Sequence, residues 1–333
     1  MLAAIITILV FFTVIFLHEF GHFTAAKLSD VKVNEFSIGM GPKIFSKSYG
    51  ETSYSLRALP IGGFVAMEGE EENSDDLRAF NNVSPIKQMI VIVAGALMNM
   101  LLAILAFTLF FAIVGTPSTT IGEVLDNSPA YYAGLKAKDK ILEINKTPVK
   151  SWEDIIENIS KADSSTINLK IERDKEILNI ESETEDTNGR KTIGINYQPM
   201  KNAGNVLKAG LKETKNTSLM ILKFLKELVT FKQDVSELMG PVGVAREIGK
   251  ASQLGIIGVL YIIGAISANL GIFNMLPIPA LDGGRFLMIL AEAISGKKIP
   301  EKIAIGINAF GFVLLFGLMI YVTIFNDIFR MGN

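Results

Sequence analysis

Long apolar blocks alternate with polar stretches along this chain. Four of the blocks carry no charged side chain: Met1–His18, Gln88–Gly122, Ala251–Leu281 and Ile303–Asn326. Each block approaches or exceeds the roughly 20 residues that a helix needs to cross the hydrocarbon core of a bilayer. The pattern therefore predicts a polytopic α-helical membrane protein with four transmembrane segments.

The first block has a second interpretation, as a signal peptide over Met1–Leu17. Such a peptide begins with basic residues and ends at a cleavage site of small residues, and this segment has neither feature. It leads instead into the polar run His18–His22. We therefore expect it to form the first span.

The connection between the first two spans predicts a membrane-associated β-hairpin region. Its segment Pro60–Met67 is too short and too rich in glycine to cross the bilayer, and it predicts an apolar hairpin. Backbone at membrane depth must be covered or line a cavity. An exposed edge formed by Gly62, Gly63, Phe64 and Val65 could therefore pair with an extended peptide. The alternative is a re-entrant loop that only packs against the protein.

Residues 119–198 have the alternating pattern of a soluble α+β domain. The expected strands and helices are Ile121–Leu125, Ala130–Gly134, Ile141–Ile144, Trp152–Lys161, Ile167–Glu172 and Ile177–Ile180.

The whole chain therefore divides into four regions. These are an N-terminal membrane half (1–114), an inserted domain (115–200), an amphipathic connecting helix (201–250) and a C-terminal membrane half (251–333). The apolar face of the connecting helix lies either on the outer surface of the bilayer or against the inserted domain.

Charge and cysteine content narrow the possible partners and chemistry. The formal net charge is −2, so the chain offers no strongly basic surface and no nucleic-acid partner is expected. The chain has no cysteine, which excludes disulfides, thiolate metal ligands and thiol nucleophiles. Lysine and arginine are concentrated in the first and third connections between spans. This predicts that those connections are cytoplasmic and that both termini and the inserted domain are extracytoplasmic.

The candidate chemistry lies at the end of the first apolar block, in the run His18-Glu19-Phe20-Gly21-His22. Residues four apart share one face of a helix, so His18 and His22 can bind one zinc ion, with Glu19 beside it as a general base. The alternative is two histidines that only pack between helices and a glutamate that extends toward the cytoplasm. On insertion scales a charged residue in the bilayer costs about 2.5–3.5 kcal/mol, which favours a functional site.

A third zinc ligand must be a carboxylate, because the chain has no other histidine and no cysteine. Asp282 is the only carboxylate between Glu247 and Glu292. It follows Pro277 and Pro279, which must break the third span. We therefore expect Asp282 to complete a site for one zinc ion. The alternative is that Asp282 only caps the next helix.

Two further residues lie on one face of the second span. Gly95 and Asn99 are four apart, and Asn99 is the only strongly polar side chain inside that apolar run, which begins at Gln88. An amide in the bilayer either joins helices through hydrogen bonds or contacts a substrate.

The inserted domain resembles a bacterial PDZ domain. The resemblance rests on Asn127–Ala130, Ala133–Leu135, Ile141–Asn145 and the helix that starts at Trp152. Lys138-Asp139 stands where such domains often have Gly-Asp. The resemblance implies a peptide-binding loop formed by Thr192, Ile193, Gly194 and Ile195.

Together these motifs resemble the site-2 protease family, in its bacterial RIP metalloprotease branch (RseP-like) with a single PDZ domain. The resemblance covers nearly the whole chain, although Ala96 replaces a proline expected in the second span. It implies a zinc endopeptidase of the bacterial cytoplasmic membrane. Such enzymes cleave single-pass membrane proteins, for example anti-sigma factors or remnant signal peptides, within the bilayer after a site-1 protease has removed the outer domain.

The resemblance also implies roles for residues of this chain. The implied zinc ligands are His18, His22 and Asp282, and the implied base is Glu19. Asn274 and Asn99 would contact substrate or steady the active site. The Gly62–Val65 edge would pair with substrate, and the PDZ-like domain would admit trimmed substrates.

Two other functions remain open from the sequence. One is a non-catalytic membrane adaptor that recruits peptides through the PDZ-like domain. The other is a divalent-metal transporter, for which polar residues in the membrane are also expected. The lack of an internal repeat weighs against transport.

Overall fold

The computed structural model describes residues 2–329 apart from 71, 73, 188 and 231. It contains two compact units. The first comprises Met1–Phe110 and Gly210–Asn333, and the second comprises Phe111–Ala209. The second unit is thus an insertion in the first.

The described helices are α1 (Leu2–Leu28), α2 (Pro85–Val114), α3 (Pro129–Tyr132), α4 (Trp152–Ser160), α5 (Ala203–Val229), α6 (Pro241–Gln253), α7 (Gly255–Asn274), α8 (Asp282–Ser295) and α9 (Glu301–Val322). The strands are β1 (Val33–Tyr49), β2 (Thr52–Met67), β3 (Thr116–Val124), β4 (Lys140–Ile144), β5 (Thr147–Pro148), β6 (Thr166–Arg173), β7 (Glu176–Glu183), β8 (Glu185–Thr187), β9 (Arg190–Thr192) and β10 (Ile195–Met200). A short 3-10 turn covers Val235–Glu237, and a π-helical turn, Thr323–Ile328, continues α9.

Four of these helical segments are long and apolar enough to cross a membrane: Leu2–Leu28, Pro85–Val114, Gly255–Asn274 and Lys302–Ile328. They match the four predicted spans and support a multi-pass membrane protein. The third apolar block is interrupted as predicted, because the two prolines separate α7 from α8.

The β-structure of the first unit differs from the prediction at Pro60–Met67, which is not a hairpin by itself. It is the last part of one long strand, β2, and the hairpin turn lies between β1 and β2 instead. Gly62 has a φ of +84°, a conformation that glycine adopts without steric cost, so the strand can bend there. The glycines of Pro60–Met67 therefore belong to a bend inside a strand and not to a hairpin turn.

The register of this sheet leaves one edge of β2 free. Glu35 on β1 lies opposite both Ala66 and Ser53, so β1 pairs with two different parts of β2. The other edge of the segment from Gly63 to Met67 pairs with no strand among the described residues.

The second unit is built on a six-stranded sheet with the order β10-β3-β4-β6-β7, in which β5 pairs with β4. All four predicted strands and both predicted helices occur, with ends shifted by a few residues. The core consists of Ile121, Ala130, Leu135, Ile141, Ile144, Val149, Trp152, Ile155, Ile159, Ile167, Leu169, Ile171 and Ile193.

The second part of the connecting helix α5 makes a contact that the sequence did not predict. From Gly210 onward it contacts the second span. The space for a side chain at Gly210 is filled by Thr108 of α2, and the Ser218 hydroxyl lies 3.9 Å from the Met100 sulfur. Thr214 and Thr217 are buried on the same part of α5. Glycine and small hydroxyl residues allow this close approach of two helices.

Candidate metal centre

The two histidines lie one turn apart on α1 and converge at their Nε2 atoms, which are 3.1 Å apart. Both rings are buried. Close approach of α2 makes this possible, because Gly21 lies against the Ala94 carbonyl and Gly95 lies against both imidazoles. Any larger residue at either glycine would collide with these groups. The glycines therefore set the distance between the first two spans.

Asp282, the first residue of α8, completes the cluster. Its Oδ2 atom lies 3.3 Å from Nε2 of His18 and 3.4 Å from Nε2 of His22. The N-cap of α8 is Leu281, and no side chain caps this end by a hydrogen bond. The capping alternative for Asp282 therefore does not describe its side chain, which is directed at the histidines.

Two glycines position Asp282. Gly283 lies against the carbonyl groups of Met275 and Leu276, and Gly284 lies against the carbonyl of Ile278. A side chain at either glycine would collide with this backbone. The Asp-Gly-Gly sequence thus folds the start of α8 onto the loop that follows α7.

The donor set fits a zinc ion. One atom from each of the three side chains lies within 4.8 Å of the others. Asp282 Oδ2 is buried and has no hydrogen-bond partner among the described residues, as expected of an atom that binds a metal. Catalytic zinc sites commonly use three protein ligands of the imidazole and carboxylate types.

Two asparagines contact His18. Asn274 Nδ2 lies 3.1 Å from His18 Nε2, and Asn99 Nδ2 lies 3.1 Å from His18 Nδ1. His22 Nδ1 lies 2.8 Å from the Val91 carbonyl oxygen. The structure thus brings both predicted asparagines to the metal centre. The contribution of Val91 comes from its backbone, and no residue type could have indicated it.

A cavity of about 670 Å³ opens beside the cluster. It is lined by His18, Glu19, His22, Asn34, Phe64, Val65, Ala66, Met67, Glu68, Gly69, Glu70, Glu72, Ser74, Ile92, Asp282 and Arg285. Glu19 is partly exposed, and a side-chain carbon at Gly63 would lie 3.7 Å from Glu19 Cγ. The last part of β2 therefore runs past the predicted base.

Glu35 holds the two strands of the first unit together. Its carboxylate contacts Lys43 and Arg57 at 2.8 Å each and accepts a hydrogen bond from Ser55. Burial by itself would raise the pKa of Glu35, but these three partners outweigh it and lower the pKa to about 2. Glu35 is therefore ionised at neutral pH and fixes β1 against β2.

An ion pair that the sequence did not indicate joins β2 to α8. Arg285, one turn after Asp282, contacts Glu70, and Glu70 also accepts a hydrogen bond from the Met67 backbone at 3.1 Å. Arg285 also lies over the ring of Phe80, 4.6 Å from its centroid. The pair connects the segment beside Glu19 with the helix that carries Asp282.

The predicted peptide-binding loop lies in the second unit. Thr192 ends β9, Ile193 is buried, and Ile195 starts β10. The Ile193 carbonyl accepts a hydrogen bond from the Ala130 backbone, and the Gly194 carbonyl accepts one from Leu125. Its role in peptide binding stays a prediction.

The model of peptidase family M50 matches residues 6–318 of the chain. The chain belongs to peptidase family M50. This confirms the resemblance to site-2 proteases and the prediction of an enzyme.

Relatives of this M50 peptidase match over nearly their whole length. A candidate zinc metalloprotease of Clostridium acetobutylicum is 40% identical over 324 residues, which cover 96% of each chain. The regulator of sigma-W protease RasP of Bacillus subtilis is 30% identical over 97% of each chain. Zinc metalloprotease RasP of Geobacillus kaustophilus is 30% identical over 96% of each.

One solved structure, the PDZ domain of an SdrC-like protein from Listeria monocytogenes, matches with 24% identity. It covers 25% of this chain and 87% of that domain, with a TM-score of 0.21. A score this low carries no conclusion about the fold of the second unit.

Proposed function

We propose that this M50 peptidase is an intramembrane zinc endopeptidase that cleaves single-pass membrane proteins within the bilayer. The convergence of His18, His22 and Asp282 beside Glu19 carries the proposal. Three of these side chains lie in an apolar helix that is long enough to cross a membrane. Polar side chains without a function are rare in such a helix, because burying them in the bilayer costs free energy.

His18, His22 and Asp282 would hold one zinc ion, which would supply a Lewis acid for the peptide carbonyl and a bound water with a pKa of about 7. Glu19 accepts a proton from the attacking water through its carboxylate and then donates it to the nitrogen of the leaving amine. The new bond joins the water oxygen to the carbonyl carbon, and the peptide C–N bond breaks. Asn274, whose Nδ2 lies 3.1 Å from His18 Nε2, donates a hydrogen bond to the substrate carbonyl in this proposal.

The free edge of β2 is the proposed substrate-binding strand. Gly62, Gly63, Phe64 and Val65 lie in the part of β2 that passes Glu19 and lines the cavity. A substrate helix must unwind before cleavage, because its carbonyl groups are hydrogen-bonded. Pairing with a strand edge compensates for part of the lost hydrogen bonding.

This role can be tested with a chain in which proline replaces both Gly62 and Gly63. Proline removes backbone donors and cannot adopt the φ of +84° at Gly62. Cleavage of a membrane substrate should fall by roughly 10- to 100-fold, because a displaced strand misplaces the substrate, while the zinc content stays unchanged. Ser48→Pro, in the same sheet near its turn, is the control. Unchanged cleavage in the double variant would rule out the strand-pairing role.

The arrangement in the membrane and the route of the substrate are also proposals. The enzyme lies in the bacterial cytoplasmic membrane, with the connections between spans one and two and between spans three and four in the cytoplasm. The termini and the PDZ-like domain (115–200) are extracytoplasmic. Thr192–Ile195 captures a peptide end there and admits substrates already trimmed by a site-1 protease. The Bacillus subtilis relative is named for the regulation of sigma-W, which makes anti-sigma factors the first substrates to assay.

Zinc removal tests the function directly. Treating the purified protein in detergent with a strong chelator should remove about one zinc ion per chain and stop cleavage of a tagged single-span substrate. Added zinc should restore cleavage. Zinc content is measured by elemental analysis, and cleavage is followed on gels. A zinc-free preparation that cuts at the original rate would contradict the proposed function.

A further inference from the structure

Three residues on one face of α2 contact the two imidazoles. Val91, Gly95 and Asn99 follow each other at intervals of four and therefore share a face. The Val91 carbonyl lies 2.8 Å from His22 Nδ1, and Asn99 Nδ2 lies 3.1 Å from His18 Nδ1. A side-chain carbon at Gly95 would lie 2.7 Å from His18 Cε1, so only glycine leaves room for the rings. This face of α2 therefore contacts both rings, and Val91 and Asn99 reach their Nδ1 atoms.

The position of the ring protons follows from the geometry. The Nε2 atoms of both histidines converge on Asp282 Oδ2, so a metal held there would bind through Nε2, and each ring would keep its proton on Nδ1. A ligating histidine normally donates this second N–H to an acceptor, which fixes the orientation of the ring. For His22 the acceptor is the Val91 carbonyl. For His18 the group in this position is the Asn99 amide.

The Asn99 amide is suited to this task by its burial. Its side chain is fully buried, and its Oδ1 atom has no hydrogen-bond partner among the described residues. Its Nδ2 atom can only donate, so the present arrangement suits a His18 ring without a proton on Nδ1. A half-turn about the Cβ–Cγ bond of Asn99 brings Oδ1 to the same place. The amide oxygen then gains a partner, and Nδ1–H of His18 gains an acceptor.

We propose that Asn99 is the positioning residue of His18: its Oδ1 accepts a hydrogen bond from Nδ1–H and so holds Nε2 toward the metal. The proposal rests on the zinc site proposed above and assigns a specific contact to an amide that could otherwise join helices or contact a substrate. Partners of this kind typically contribute about 10- to 100-fold to metal affinity. The second span then orients both histidines of the first span, His22 through the Val91 carbonyl and His18 through the Asn99 amide.

Zinc affinity tests the role without relying on catalysis. The dissociation constant for zinc is measured by competition with a chelating indicator on the full chain in detergent. Asn99→Ala removes the acceptor and should weaken zinc binding by about 10- to 100-fold. Asn99→Asp keeps an acceptor oxygen and should stay within about threefold of the original chain. Gln88→Ala removes another buried amide of α2, one that donates to the Phe80 carbonyl, and should leave zinc affinity unchanged.

A spectroscopic measurement covers the case in which Asn99→Ala does not fold. The chain has two histidines, so selective ¹⁵N labelling gives the signals of two rings only. In the zinc-loaded original chain, both Nδ1 atoms should be protonated and both protons should exchange slowly with solvent. The signals of the original chain alone decide that case. Where Asn99→Ala does fold, its His18 proton should exchange rapidly while the His22 proton, bonded to Val91, stays protected.

The possible failures are distinguishable. If the original chain binds zinc and Asn99→Ala binds it equally well, the positioning role is wrong and the zinc site stands. The same holds if Asn99→Asp is as weak as Asn99→Ala, or if the original chain shows His18 without a proton on Nδ1. If the original chain binds no zinc, both the proposed function and this inference are overturned.

Discussion

A chain carrying Glu19→Gln is expected to keep its zinc ion and to cleave substrate about 10²- to 10⁴-fold more slowly. Glutamine has nearly the same size as glutamate, so it should fit beside Gly63 and leave the three metal-binding side chains in place. Glutamine cannot accept a proton from water, so the substitution slows the chemical step of cleavage and not the binding of zinc. Zinc content and the rate of cleavage, measured on one preparation, check both parts of this expectation.

The matched control is Glu247→Gln, which makes the same chemical change on α6. Glu247 pairs with Lys250 and does not line the cavity beside the metal cluster. This variant should match the original chain in zinc content and rate. If Glu19→Gln cuts as fast as the original chain, Glu19 is not the base, and the adaptor function becomes the better interpretation.

Replacing Asp282 with alanine is expected to abolish both zinc binding and cleavage. The substitution removes the only carboxylate oxygen, among the residues that the structure describes, that lies within 3.4 Å of both imidazoles. Because loss of a mere supporting hydrogen bond costs about 10- to 100-fold in metal affinity, loss of a direct ligand should cost more than about 100-fold. Titration with zinc in the presence of a chelating indicator measures the change.

Asp327→Asn provides the control for this variant. Asp327 is also a buried carboxylate, but it accepts hydrogen bonds from the Gly240 and Gly243 backbone at the start of α6. Its substitution should leave zinc affinity within about twofold, because it is not a ligand. An Asp282→Ala chain that still binds one zinc ion tightly would show that the metal is held elsewhere.

The metal centre was largely predictable from the sequence. It depends on the local geometry of one helix and on the small number of side chains that could serve as ligands. A spacing of four residues on a helix fixes the relative position of His18 and His22. The two prolines before Asp282 forced a break in the third span, and no other carboxylate was near. The structure places all three side chains together as these arguments required.

The β-structure of the first unit was less predictable because its register depends on contacts between distant residues. Gly63 faces Ser37, and a side chain there would lie 2.7 Å from the Ser37 carbonyl oxygen. A local pattern of glycines cannot tell a turn from such a close approach. The Glu70–Arg285 pair joins residues 215 positions apart, and the acidic run that contains Glu70 has the composition of a solvated loop.

The second unit has a lysine, Lys138, at a position where the resemblance to PDZ domains predicts glycine. Lys138 has a φ of +77°. This is the left-handed conformation that glycine adopts at least cost. Asp139 beside it is buried, contacts Arg173 at 2.6 Å and accepts a hydrogen bond from the Lys136 backbone. The neighbouring contacts hold the lysine in a conformation that its own side chain does not favour.

The metal cluster joins His22, near the start of the chain, to Asp282, near its end. During synthesis the first span enters the bilayer long before α8 has been translated. A chain that is still on the ribosome, or one that ends early, therefore carries the two histidines without their carboxylate. Under the proposed function, an unfinished molecule cannot cleave the membrane proteins being inserted around it, and proteolytic activity begins only when α8 has docked.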